Sequence, residues 1–190
     1  MILPIVKYGN PVLRAKGKPI AEVDSLVRSL ASDMLETMHA ANGVGLAAQQ
    51  VGAALQLTVL DISQVEERPS TLRLNDEEID PAVAMPLVLI NPRLQLSDEI
   101  SSGSEGCLSF PEITAEIDRA EAVEVEAETL EGETIRLQAT GLLARALQHE
   151  VDHLNGILFI DRMDSATKAS LSSRIKRLQK ETMKVEALRR

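Results

Sequence analysis

The first strong hydrophobic pattern follows Asp24 and Ser25, where Leu26, Leu30, Met34 and Met38 recur every four residues and Val27 and Leu35 widen the stripe. This predicts an amphipathic helix, capped by Asp24 or Ser25 and stopped at Asn42-Gly43, with its apolar face turned to a core. Short β-prone runs follow at residues 57–62 and 87–90. The Pro-, Asp- and Glu-rich stretch at residues 63–86 is long for a connection. It is expected to be a surface excursion or a partly mobile flap, with residues 71–80 a charged loop.

Between residues 113 and 139 the period changes to two. Val123, Val125 and Ala127 alternate with Glu124, Glu126 and Glu128, and Gly132 marks a turn before Ile135 and Leu137. A half-buried antiparallel hairpin with an acidic outer face fits this pattern. From Gly141 to about Asn155 the helical period returns, closed by Gly156, but this segment is apolar nearly all round and is expected to be buried against the sheets. A last helix, about residues 165–188, carries Leu171, Ile175, Leu178, Thr182 and Val185 on one stripe and most of its basic residues off it.

At 190 residues the chain is expected to form one domain, with no internal repeat. Two Phe, one Tyr and no Trp leave the core to Leu, Ile, Val, Ala and Met. The single cysteine, Cys107, cannot form an internal disulfide, and no apolar run reaches membrane-spanning length, so a cytoplasmic protein is expected. A net charge of −9 argues against binding to DNA or to anionic membranes. The charge is uneven: from Ala166 to Arg190 eight Lys or Arg face Glu181 and Glu186.

His149-Glu150-Val151-Asp152-His153 lies inside the buried helix. Histidines at i and i+4 project from one face and can share a metal ion. The bland alternative is two core or surface histidines that happen to fall at this spacing. Apolar flanks weigh against it, since buried imidazoles beside a carboxylate are costly unless something satisfies them. Catalytic sites of this kind take a third protein ligand, and Glu105-Gly106-Cys107-Leu108-Ser109 offers the only thiol. An arbitrary lone cysteine is more often inert and buried, but the neighbouring Glu and Gly make an ordinary core position a poor description. Gly43-Val44-Gly45-Leu46-Ala47-Ala48-Gln49-Gln50 has small residues that leave room for a ligand beside the backbone; alone, it could equally serve tight packing.

Gly-Val-Gly-Leu-Ala-Ala-Gln-Gln, Glu-Gly-Cys-Leu-Ser and His-Glu-Val-Asp-His, in this order, resemble the three signature motifs of the peptide deformylases. Asn10-Pro11-Val12-Leu13-Arg14 and Leu89-Ile90-Asn91-Pro92 extend the resemblance across most of the chain. It implies an α+β fold, with antiparallel β-sheets around the central HExxH helix and an N-terminal and a C-terminal helix besides. It implies one divalent ion held by Cys107, His149 and His153, usually Fe(II), with Zn, Ni or Co able to replace it. The implied reaction removes the formyl group from N-formylmethionyl nascent peptides. Glu150 would take a proton from the attacking water and pass one to the leaving amine, while the Gln50 side chain and the Leu108 N–H face the oxyanion.

The formylated peptide would lie along Gly43, Val44 and Gly45, near Glu105 and Gly106, with its methionine side chain towards Leu142, Arg145 and Ala146. Arg145 stands where the family pattern is generally apolar, and its stem is expected on the helix with its head in solvent. Asp152 and Arg119 are expected to be structural partners, and His39 a surface residue. The basic last helix is either a solvated face or a contact to ribosomal RNA. Two other functions compete: an HExxH metallopeptidase cutting internal bonds, and a non-catalytic peptide-binding homologue.

Overall fold

A computed structural model describes residues 1–188. The amphipathic stripe becomes α1 (Ser25–Ala40), where Asp24 accepts the Val27 N–H at 2.9 Å and Val27, Ala31, Met34 and Met38 turn inward, while Leu26, expected on the same face, is 76% exposed in the first turn. After it come β1 (Gly45–Ala47), a 3-10 turn at Ala48–Val51, and β2 (Leu57–Leu60). Residues 63–86, expected to be a surface excursion or flap with a charged loop at 71–80, are built of regular elements instead. They contain β3 (Ser70–Leu74), β4 (Glu77–Ile79) and a single turn of helix, α2 (Pro81–Ala84). Asn75 and Asp76, both at positive φ, make the tight turn between the two strands.

The remaining strands are β5 (Leu87–Leu96), β6 (Ile100–Cys107), β7 (Phe110–Ala120), β8 (Ala122–Glu128) and β9 (Thr134–Thr140). Seven strands form one antiparallel sheet in the order β1-β2-β5-β8-β9-β3-β4, and β6 pairs with β7 in a second. The predicted hairpin is β8–β9, with Gly132 at φ 80 in its connection. Residues 113–120, expected in the same hairpin, belong instead to the β6–β7 pair. The acidic pair Glu77 and Glu78 sits on β4, at the sheet edge, where charge discourages pairing with another chain.

The helix predicted as buried is α3 (Gly141–Leu154), and every residue from Leu142 to Leu154 is buried. Leu142, Leu143, Ala144, Ala146 and Leu147 pack with Leu60, Leu89, Val123, Val125 and Leu137 of the large sheet. Further along, α3 contacts β7, so the one helix meets both sheets. Tyr8, Phe110 and Phe159 make a small aromatic stack beside it, with centroids 4.8 and 5.1 Å apart.

The last helix is α4 (Ser165–Leu188). Its stripe is shorter than expected: Ile175 is buried, Leu171 and Leu178 are half-buried, and Val185 is 48% exposed. The outer part of α4 therefore holds to the body by little apolar area. Arg189 and Arg190, the end of the basic run, lie outside the described residues.

Candidate metal and substrate site

Cys107 ends β6, while His149 and His153 stand one turn apart on α3. Their ligand atoms lie within 4.8 Å of one another, so the three could hold one ion at the bond lengths of about 2.0–2.3 Å usual for nitrogen and sulfur ligands. Cys107 Sγ is 3.3 Å from His153 Nε2. His149 turns Nδ1 to Glu105 Oε1 at 2.9 Å, which leaves Nε2 as its free ligand atom. The donor set and the carboxylate behind His149 fit a bound divalent ion.

Glu150 is 4% exposed and its Oε2 has no hydrogen-bond partner. Burial pushes this carboxyl up to about 7, with the His149 charge opposing the rise. Burial also lowers the His153 imidazole, helped by His149 and Arg119. For His149 burial again acts downward, but the bonds to Cys107 and Glu105 outweigh it and hold the imidazole above its ordinary value. Glu105 shows the same competition among carboxylates: burial acts upward, and Arg119 and His149 prevail, keeping it ionised far below the usual range.

Gln50 sits in the 3-10 turn after β1. Its Oε1 accepts the Ala47 N–H at 3.0 Å, and its Nε2 points to Ser109 Oγ at 3.2 Å and Cys107 Sγ at 3.6 Å. Gln49 turns the other way and donates to the Ala15 and Leu154 carbonyls, which makes it a brace between segments. Leu108 follows Cys107 in the turn between β6 and β7, and Lys7 donates to its carbonyl at 2.8 Å. The glycines leading into and opening β1 have a steric reason to be small. A Cβ on Gly43 would come 2.8 Å from Leu108 Cδ1, and one on Gly45 the same distance from Glu150 Cδ.

These residues border one groove of about 460 Å³. Gly43, Val44 and Gly45 line one side, Glu105, Gly106, Cys107 and Leu108 another, and Leu142, Arg145 and Ala146 a third, with Gln50, His149 and Glu150 beside them. Among the lining residues without a sequence signal are Lys7, Arg68 and Phe110. Arg68 comes from the segment before β3 and donates to the Ser104 carbonyl of β6 at 3.1 Å.

Arg145 departs from expectation. Its head is not in solvent but 6% exposed, bonded to Glu105 Oε2 at 2.8 Å and to the carbonyls of Ile117 and Ser101 at 2.7 and 2.8 Å. A guanidinium needs such acceptors to be buried at all. Arg119 and Asp152 are structural partners, as expected: Arg119 grips both oxygens of Glu105 at 2.9 Å and reaches Asp152, which also holds Arg162. His39 lies at the exposed end of α1, paired with Asp61.

Two imidazoles on one helix, a thiol from a strand beside it and a buried carboxylate, with Cys107, His149 and Glu150 on the groove wall, make up the kind of site by which hydrolases hold and use a metal ion. The family model for polypeptide deformylase matches residues 2–169. A peptide deformylase of Opitutus terrae is 43% identical over 184 residues, covering 96% of this chain and 95% of that protein. The crystal structure of peptide deformylase from Thermus thermophilus superposes with a TM-score of 0.80 at 36% identity, over 95% of this chain and 99% of that one. That of a peptide deformylase from Synechococcus elongatus in complex with actinonin gives 0.76 at 37% identity, over 90% and 85%. The chain belongs to the polypeptide deformylase family.

Proposed function

We propose that this chain hydrolyses the N-formyl group from the N-terminal formylmethionine of nascent polypeptides and releases formate. The observation that carries the reading is the buried, unpartnered Glu150 carboxylate against Gly45, on the same helix as two of the three candidate metal ligands and open to the same groove. Cys107, His149 and His153 would hold one divalent ion, Fe(II) in the cell by family resemblance, with Zn, Ni or Co as substitutes. When bound, such an ion polarises a carbonyl and makes water a competent nucleophile at neutral pH.

The protein's own groups divide the remaining work. Glu150 takes a proton from the attacking water and returns one to the leaving amine. Gln50 Nε2 and the Leu108 N–H donate to the oxygen on which charge develops. The peptide runs extended along Gly43, Val44 and Gly45 and faces Glu105 and Gly106 across the groove, while its methionine side chain enters beside Leu142, Arg145 and Ala146. Glu105 acts at one remove, since its oxygens are taken by Arg119, Arg145 and His149.

Residues 1–190 would work as one domain in the cytoplasm. No helix among the described residues is long and apolar enough to cross a membrane. The exposed basic face of α4 is suited to contact ribosomal RNA, where the substrate emerges.

Product analysis separates the readings. A formyl-Met tripeptide incubated with Ni(II)-loaded protein should yield formate and the intact tripeptide. Cleavage between residues would instead indicate an internal metallopeptidase, and an unchanged peptide a binding protein.

A further inference from the structure

The three candidate ligands come from two elements, Cys107 from β6 and the histidines from α3, so any ion site depends on how firmly strand and helix are held together. Glu105, two residues before Cys107 on β6, makes that connection. Its Oε2 takes Arg145 and its Oε1 takes His149, residues at i and i+4 on one face of α3. Arg119, from β7, grips the same carboxylate but ties β6 only to its own sheet partner and, through Asp152, to the far end of α3. Without Arg145, the only direct link from the Glu105 carboxylate to α3 would be the His149 imidazole itself.

The surroundings of Arg145 fit this purpose. It also donates to the Ser101 carbonyl on β6 and the Ile117 carbonyl on β7, so one guanidinium fastens α3 to both strands of the small sheet. Gly103 supplies the space: a Cβ there would lie 3.0 Å from Arg145 Cζ and 3.1 Å from Nε and Nη2.

We propose that Arg145 is a positioning residue for the metal site, clasping Glu105 against α3 so that His149 presents Nε2 at a fixed distance from the Cys107 thiolate. The inference rests on the assignment of Cys107, His149 and His153 as ligands. It assigns the Arg145 guanidinium to the metal site, although its stem also walls the groove.

Zn(II) affinity, measured by chelator competition on metal-free protein, tests it. Wild type that fails to bind Zn(II) tightly would refute the ligand assignment itself. Given tight binding by wild type, Arg145→Leu should weaken it by about 10- to 100-fold, the usual effect of losing an outer partner of a metal ligand. Arg145→Lys, which keeps a charge near Glu105, should recover part of the loss. Gly103→Ala, which removes no charge and only displaces the guanidinium, should weaken binding in the same direction by less, and it decides the matter should Arg145→Leu not fold. In zinc-loaded wild type the imidazole ¹⁵N spectrum of His149 should show a single tautomer, protonated at Nδ1. Unchanged Zn(II) affinity in Arg145→Leu and Gly103→Ala, with only KM raised or only the melting temperature lowered, would overturn the proposal and leave Arg145 a pocket wall or a structural brace.

Discussion

Gly45 has no side chain where the Glu150 carboxylate lies: a Cβ at Gly45 would stand 2.8 Å from Glu150 Cδ, well inside van der Waals contact. The first strand of the large sheet and the metal helix thus meet at the carboxylate proposed to move the proton. The Gly45→Ala variant should displace Glu150 by the better part of an ångström and lower kcat by about 10²-fold, the scale expected for such a misplacement. Zn(II) affinity should stay close to wild type, because the ligands are not touched. Comparing turnover with ion affinity checks this; full activity in Gly45→Ala would show that the carboxylate has freedom the structure does not suggest.

The Arg119 guanidinium is 4% exposed and holds two buried acids, Glu105 and Asp152. Removing one partner from such a network leaves charge uncompensated in a medium that solvates it poorly. Arg119→Leu should cost roughly 3–5 kcal/mol of stability. Arg145 and Arg162 remain on the two acids, which favours the lower end of that range. Urea unfolding of the metal-free protein measures it, and a loss below about 1 kcal/mol would mean that the network is solvated.

Asp161 gives a pH signature away from the metal site. Burial raises this carboxyl, but the Arg14 guanidinium and the Leu158 N–H outweigh it and hold it below its ordinary value of 3.8. A carboxyl depressed in the folded state adds stability that is fully present above the unfolded value and is lost as pH falls through the folded one. Wild type should therefore be more stable than Asp161→Asn at pH 6, and the difference should shrink as the pH drops below about 4. Melting curves from pH 7 to 2 would show it; a constant gap across that range would contradict the assignment.

Much of this was legible in the chain because the signals were physical and local. α1, α3 and the β8–β9 hairpin follow from their periodicity, and the His149–His153 spacing fixes a shared face whatever the fold. The β3–β4 hairpin escaped because its strands are short and lie in a charge-rich stretch, although Leu72, Leu74 and Ile79 alternate with polar residues and Asn75-Asp76 is a turn pair that tolerates positive φ. β6 was hidden by Ser101, Ser102, Gly103 and Ser104, which have little β-propensity; pairing with β7 decides their conformation. The burial of Arg145 could not be read from its own helix, since its acceptors are Glu105, Ser101 and Ile117 on other elements. Arg68, which lines the groove, comes from the segment whose conformation composition concealed.

The central claim is that Glu150 does the proton transfer in deformylation. Single-turnover formate release from a formyl-Met tripeptide, by Ni(II)-loaded wild type and Ni(II)-loaded Glu150→Gln at matched metal content, tests it most directly. Wild type should release formate readily and the variant at least about 10²-fold more slowly, the lower end of what a positioned acid–base group supplies. Equal rates in the two proteins, or no formate from the loaded wild type, would contradict it.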